Sequence, residues 1–152
     1  MRKINVNKGK RYQFPTHIND IIVDRSEAAF SEVFMVVLEP GKAPPFHKHD
    51  DTEQIFYVIS GRGTLTIGDE KTQFPVEPGD VVHIPVSAFH SIKSEGGTTV
   101  RYLCVDCFGA RPKTEPTWDD HVKTLCRENG WDYNQVTASQ RAVEKPVENR
   151  EE

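Results

Sequence analysis

The longest uncharged apolar run in this 152-residue chain, at 33–38, is only six residues. A membrane-spanning helix needs about 20, so no segment reads as one. The N-terminus, Met1-Arg2-Lys3-Ile4-Asn5-Val6-Asn7-Lys8, lacks the apolar stretch of a secretory signal. Cysteine is scarce, and its count of three is odd, which argues against a disulfide framework. Both features fit a reducing, cytoplasmic compartment. Basic residues are in deficit, 19 against 23 acidic for a net charge of −4. Without a basic face or stripe, nucleic acid is not an expected partner. No internal repeat of solenoid length is present.

Turn formers are plentiful, with ten glycines and ten prolines. Between positions 20 and 110 they separate short apolar runs at 21–23, 33–38, 55–59, 64–67, 81–84 and 100–105. These runs are short and rich in Val, Ile, Thr, Phe and Tyr, which favours strands. Their regular spacing predicts an all-β, antiparallel sandwich or barrel. After Gly109 the pattern changes. Thr117 is a candidate N-cap followed by acids at 119 and 120, and Trp118, Val122, Leu125 and Cys126 form one apolar stripe. With Gly130 as the C-terminal stop, residues 117–129 read as an amphipathic helix packed on the barrel. The chain thus divides into a barrel at 1–110, a helical extension at 111–136 and a tail at 137–152. The tail has no aromatic residue and seven charges in sixteen positions, a composition expected to be disordered.

Six histidines occur, at 17, 47, 49, 83, 90 and 121. In His47-Lys48-His49 an extended backbone would put both imidazoles on one face. Neutral imidazole suits Zn, Fe, Ni and Cu. A third ligand could come from Glu53 or Gln54, which alternation places on opposite faces, and a fourth from His90. His83 alternates with Val82 and Ile84 and should face away from the core. His17 and His121 receive no role. Cys104 and Cys107 form a Cys-x-x-Cys, but residues three apart on a strand face opposite sides, so both read as packing, as does the Trp118 stripe. Asp50-Asp51 and Arg62 read as surface turns.

The segment Gly41-Lys-Ala-Pro-Pro-Phe-His47-Lys-His49-Asp-Asp-Thr-Glu53-Gln54-Ile-Phe-Tyr-Val-Ile-Ser-Gly61 resembles the first motif of the cupin superfamily. That motif reads Gly, five residues, His-x-His, three or four residues, Glu, six residues, Gly. The segment Glu77-Pro78-Gly79-Asp80-Val-Val-His-Ile-Pro85-Val-Ser87-Ala-Phe-His90-Ser-Ile-Lys-Ser94 resembles the second, Pro-x-Gly-x-x-His-x-x-x-Asn. The resemblance covers roughly residues 30–108 and implies a double-stranded β-helix, or jelly-roll (RmlC-like) barrel, with a short C-terminal helix. It implies a divalent transition metal (Fe, Zn, Ni or Mn) on His47, His49, His90 and a residue of the Glu position. Counting back from Gly61 puts Gln54 there, and counting on from His49 puts Glu53; the turn at Gly61 favours Gln54. Its neutral amide would bind metal less tightly than a carboxylate and favour an anionic ligand. Ser87 and Ser94 replace the motif's glycine and asparagine at turn-related positions.

If Gln54 faces inward, so do Phe56 and Val58, and His90 carries Ile92, with Phe89 at the turn. Strand 100–105 offers either Arg101, Leu103 and Val105 or Tyr102 and Cys104; 31–38 offers Phe34 or Met35. Such an interior is a mainly apolar small-molecule site. Two functions fit: a metal-dependent oxygenase, isomerase or lyase acting on a small organic acid or sugar-like substrate, or a binding module that leaves its ligand unchanged. Arg101 and Tyr102 are the candidates for general acid–base work. The resemblance also implies a homodimer, with the segment at 1–16 crossing to the neighbour, and the helical extension either capping the barrel mouth or lying on its outer face.

Overall fold

The computed structural model describes residues 3–140. After one 3₁₀ turn, Val6–Lys8, nine strands follow: β1 (Lys10–Gln13), β2 (Ile18–Val23), β3 (Ser31–Leu38), β4 (Thr52–Ser60), β5 (Gly63–Ile67), β6 (Thr72–Val76), β7 (Val81–Ile84), β8 (His90–Ser94) and β9 (Val100–Phe108). Two helices close the described chain, α1 (Trp118–Asn129) and α2 (Tyr133–Thr137). All pairings are antiparallel, in a six-stranded sheet ordered β1-β2-β3-β9-β4-β7 and a three-stranded sheet ordered β6-β5-β8. The expected all-β barrel with a C-terminal helix is what the chain forms.

Alternation drives the barrel. Along β4, Thr52, Gln54, Phe56 and Val58 are buried while Glu53, Ile55, Tyr57 and Ile59 are exposed. Register then aligns inward residues in rows across the sheet. One row joins Ile21, Phe34, Cys104, Phe56 and Val82, and the next joins Glu32, Asp106, Gln54 and Ile84. The open choices resolve accordingly: Phe34, Tyr102 and Cys104 face inward. Cys104 is buried, Cys107 is on the opposite face, and all three cysteines are free. Gly61, at φ +81, turns β4 into β5 where any Cβ would collide with the Thr99 carbonyl. This is the turn that fixes the distance back to Gln54.

Three strands escaped the run-by-run reading. β6 contains Pro75 and is mostly exposed, consistent with a place at the sheet edge. β8 opens on His90 and carries few apolar residues. β1 corrects the expected crossing to a neighbour: it pairs with β2 of its own chain, Arg11 gripping Asp20 at 2.7 and 2.8 Å and Tyr12 buried. The short helix α2 was also unforeseen, and of the expected tail, residues 141–152 lie outside the described residues.

Helix α1 forms where its signals predict. The Thr117 hydroxyl accepts from the Asp120 N–H, the Asp120 carboxylate accepts from the Thr117 N–H, and Gly130 ends the helix at φ 70. It is anchored over the barrel mouth. The Trp118 N–H donates to Asp24, and Tyr12 and Tyr133 both donate to Asp119. No described helix is long and apolar enough to cross a membrane.

Candidate metal centre and cavity

His47 sits in the loop before β4, joined to His90 by an isolated bridge: each backbone N–H donates to the other's carbonyl, at 3.2 and 2.8 Å. The pair is therefore not on a regular strand, yet both imidazoles line the cavity. One ring nitrogen from each of His47, His49 and His90 falls within 4.8 Å of the others. The His47 Nδ1 lies 2.6 Å from the Pro45 carbonyl and the His90 Nδ1 2.9 Å from the Ala88 carbonyl. A carbonyl only accepts, so both Nδ1 atoms carry the proton and both Nε2 lone pairs remain available, the tautomer a metal requires. Burial lowers all three imidazoles, His49 to about 3 and His90 to about 4. They are thus neutral and ready to ligate at physiological pH.

Of the two neighbouring residues at the Glu position, Gln54 faces inward and Glu53 outward. Glu53 is exposed and pairs with His83 at 2.6 Å on the outer surface, where His83 was expected. Gln54 is 4% exposed and lines the same cavity as the histidines. Its Nε2 donates to Asp106 Oδ1 at 2.7 Å, which fixes the amide so that Oε1 is the atom left over. That oxygen is buried without a partner. An unsatisfied buried polar atom costs about 1–3 kcal/mol, and a cation would relieve it. Three neutral imidazoles and an orphaned amide oxygen fit a divalent transition metal.

Behind Gln54 lies a polar cluster that the sequence reading missed. Arg25 donates to both oxygens of Glu32, at 2.8 and 3.0 Å, and Asp106 stands beside Glu32 in the same row. Burial first, and then the neighbouring Asp106 carboxyl, push Glu32 upward, against the pull of Arg25. Glu32 thus keeps its proton above the usual carboxylate range. The Cys104 thiol, pushed up by burial, contacts Asp106 Oδ1 at 3.3 Å. The inward parity of Tyr102 and Cys104 extends to Asp106, which is the signal that could have found it.

The cavity has a volume of about 370 Å³. Phe34, Phe56, Ile92 and Tyr102 form its barrel wall, and Trp118, His121, Leu125 and Trp131 form its cover. The extension therefore caps the mouth, and the Trp118 stripe is cavity wall as well as packing. His17 and His121, given no role from sequence, also line it. His17 stacks on Phe14 at 4.7 Å and burial lowers it to about 3. His121 bonds Glu115 at 2.9 Å, and that contact holds Glu115 down at about 2. Phe89, by contrast, stacks on Phe46 at 5.4 Å, outside the lining.

The family profile described as "Cupin domain" matches residues 34–106, the stretch that carries all four candidate ligands. The barrel is a cupin domain. The cupin is 35% identical over 68 residues to an uncharacterized protein of Methanocaldococcus jannaschii, covering 45% of this chain and 53% of the relative. It is 32% identical over 68 residues to an oxalate-binding protein of Thermotoga maritima, covering 45% and 54%. The chain spans about half the length of these curated relatives. Among solved structures, the polyketide cyclase RemF of Streptomyces resistomycificus superposes with a TM-score of 0.65 at 22% identity, over 74% of this chain and 82% of that one. This last likeness speaks for the fold alone.

Proposed function

We propose that this cupin is a metal-dependent enzyme of the oxygenase, isomerase or lyase type, with Fe, Zn, Ni or Mn held by His47, His49, His90 and Gln54. The observation that carries the reading is the convergence of three imidazoles, two with Nδ1 tied to carbonyls, on a cavity that Gln54 also lines. A bound ion of this kind supplies Lewis acidity toward a substrate oxygen, or redox chemistry in the case of iron. The chain's residues do the remainder. Pro45 and Ala88 orient the imidazoles through their carbonyls, Asp106 orients the Gln54 amide, and α1 covers one side of the cavity. All four ligands are neutral, so they leave the ion's charge for the substrate to balance.

The test is metal content of tag-free protein by mass spectrometry, beside His47→Ala and His90→Ala. The expected result is about one equivalent of a transition metal in the parent, with both variants losing it. No metal after reconstitution with all four ions would overturn the reading.

One feature favours the alternative, a binding module. Two polar groups of the barrel wall are already committed: Asp106 is engaged by Gln54 and Cys104, and burial holds the Tyr102 phenol protonated. A ligand recovered unchanged from metal-loaded protein would establish that reading. We also propose that the cupin pairs with a second copy. The outward Ile55, Tyr57 and Ile59 of β4 and Val81 of adjacent β7 are all exposed on one sheet face, the kind of apolar patch that marks an interface. Light scattering showing a monomer would refute the pairing.

A further inference from the structure

We propose that His121, held by Glu115, is the proton acceptor of the cavity: its Nε2 takes the hydroxyl proton of a weakly acidic ligand seated at the three imidazoles. The O–H bond of the ligand breaks, an N–H bond forms at Nε2, and the electron pair stays on the ligand oxygen. This deepens the enzyme reading above and rests on it.

The first support is the placement of the ring. His121 follows Trp118 by three residues on α1 and precedes Leu125 by four, so the three share one helix face, and all three line the cavity. The His121 Nδ1 lies 2.9 Å from Glu115 Oε2, and Glu115 is not part of the lining. The edge left for the cavity is the one that bears Nε2. Among the described residues Nε2 has no hydrogen-bond partner, and it is not one of the buried unpaired atoms, so solvent reaches it. The Trp118 ring stands edge-on to the imidazole, with 5.2 Å between centroids, and steadies its plane.

The second support is the charge behind the ring. The hydrogen bond from His121, first among its causes, holds Glu115 down at about 2. A carboxylate only accepts, so Nδ1 carries the proton and Nε2 the lone pair. When Nε2 gains a second proton, Glu115 balances the imidazolium, as a third group does behind other catalytic bases. Arg25, which also lies near Glu115, is itself paired with Glu32.

The third support is the state of the other candidates. Arg101 does not line the cavity, and the Tyr102 phenol keeps its proton. Asp106 is engaged by Gln54 and Cys104. The His17 Nδ1 meets the Thr16 hydroxyl at 2.8 Å, and burial lowers that ring to about 3, which makes it a poor acceptor. Glu128 is exposed at the rim. The bonded and ring contacts of His121 go to Glu115 and Trp118, which leaves it free while the three imidazoles are occupied. It is still close to them: besides burial, a charge on His121 lowers both His47 and His49.

The probe is acetohydroxamic acid, a small hydroxyl acid that ligates zinc as its anion. It is titrated calorimetrically into the zinc-loaded full chain at about pH 8, above the ordinary imidazole range. Two buffers of different ionisation enthalpy count the protons passed to solvent. The parent should release almost none, His121→Gln about one per ligand bound, and Glu115→Gln an intermediate number, with zinc content unchanged in each. A parent that releases the full proton, a parent that does not bind the probe, or a folded His121→Gln that matches the parent would overturn the proposal. So would a count that moves in Glu128→Gln instead. Zinc content is measured first: a chain that takes up no zinc fails at that assay and brings down the enzyme reading, whereas one that holds zinc and passes every proton to the buffer fails here alone.

Discussion

The cavity has two walls built in opposite ways. The imidazole wall comes from residues close in sequence, His47, His49 and Gln54, joined by His90 through one backbone bridge. Its polar atoms are oriented by carbonyls and a carboxylate. The cover comes from α1 and the turn after it, held to the barrel by side chains far apart in sequence: Trp118 to Asp24, and Asp119 to Tyr12. The first wall is polar and prepared for a cation. The second is mostly apolar. The difference shows that chemistry and shape are supplied by separate parts of the chain, so each can be perturbed alone.

The largest expected effect breaks the cover. Trp118→Ala removes a buried indole packed 4.6 Å from Phe34, and should destabilise by about 3 kcal/mol or more in urea titration. The metal content should persist, because none of its ligands touches that ring. Loss of metal in a folded Trp118→Ala would show that the walls are coupled. A smaller effect sharpens the polar wall. Gln54→Glu replaces the Nε2 donor with a carboxylate facing Asp106, so the metal-free protein should lose about 2 kcal/mol. The same charge should raise zinc affinity by about tenfold or more against a competing chelator. Unchanged zinc affinity would remove residue 54 from the ligand set. The smallest effect lies at the loop that supports His49. Ser87 adopts φ 64 where the family motif has glycine, held by its N–H on the His49 carbonyl and its hydroxyl on Asp50. Ser87→Gly relieves that backbone and forfeits the hydroxyl contact, and the net change in thermal stability should stay within about 1 kcal/mol.

Much of the barrel was legible because alternation is strict where one face is buried. β4 is the clearest case: its parity puts Glu53 and Gln54 on opposite faces, and the turn at Gly61 favours Gln54 as the inward one. β6 and β8 were not legible as apolar runs, since β6 lies at a sheet edge with a proline and β8 spends its positions on His90, Ser91 and Ser94. The helix and both its caps could be read from Thr117, Asp120 and Gly130. Its place could not, because the anchors at Asp24 and Tyr12 are hydrogen bonds across some hundred residues that leave no local trace. For the same reason Asn19, Asp106 and Arg25 went unremarked. Each is an ordinary polar residue in sequence, and only the register of β2, β3 and β9 brings it to the cavity or behind it.

Arg25 has one more consequence. Its guanidinium grips Glu32 of β3, donates to the Glu115 carbonyl at 3.2 Å, and lies over the rings of Phe108 and Trp118 at 5.3 and 5.8 Å. A single side chain thus ties the β2–β3 hairpin, the end of β9 and the start of the extension into one knot. A chain cut at residue 110 would keep every strand yet strand that cation in half a socket and open the barrel to water. Barrel and extension should therefore melt in one cooperative transition, with no stage at which the smaller piece has come away and the larger one survives.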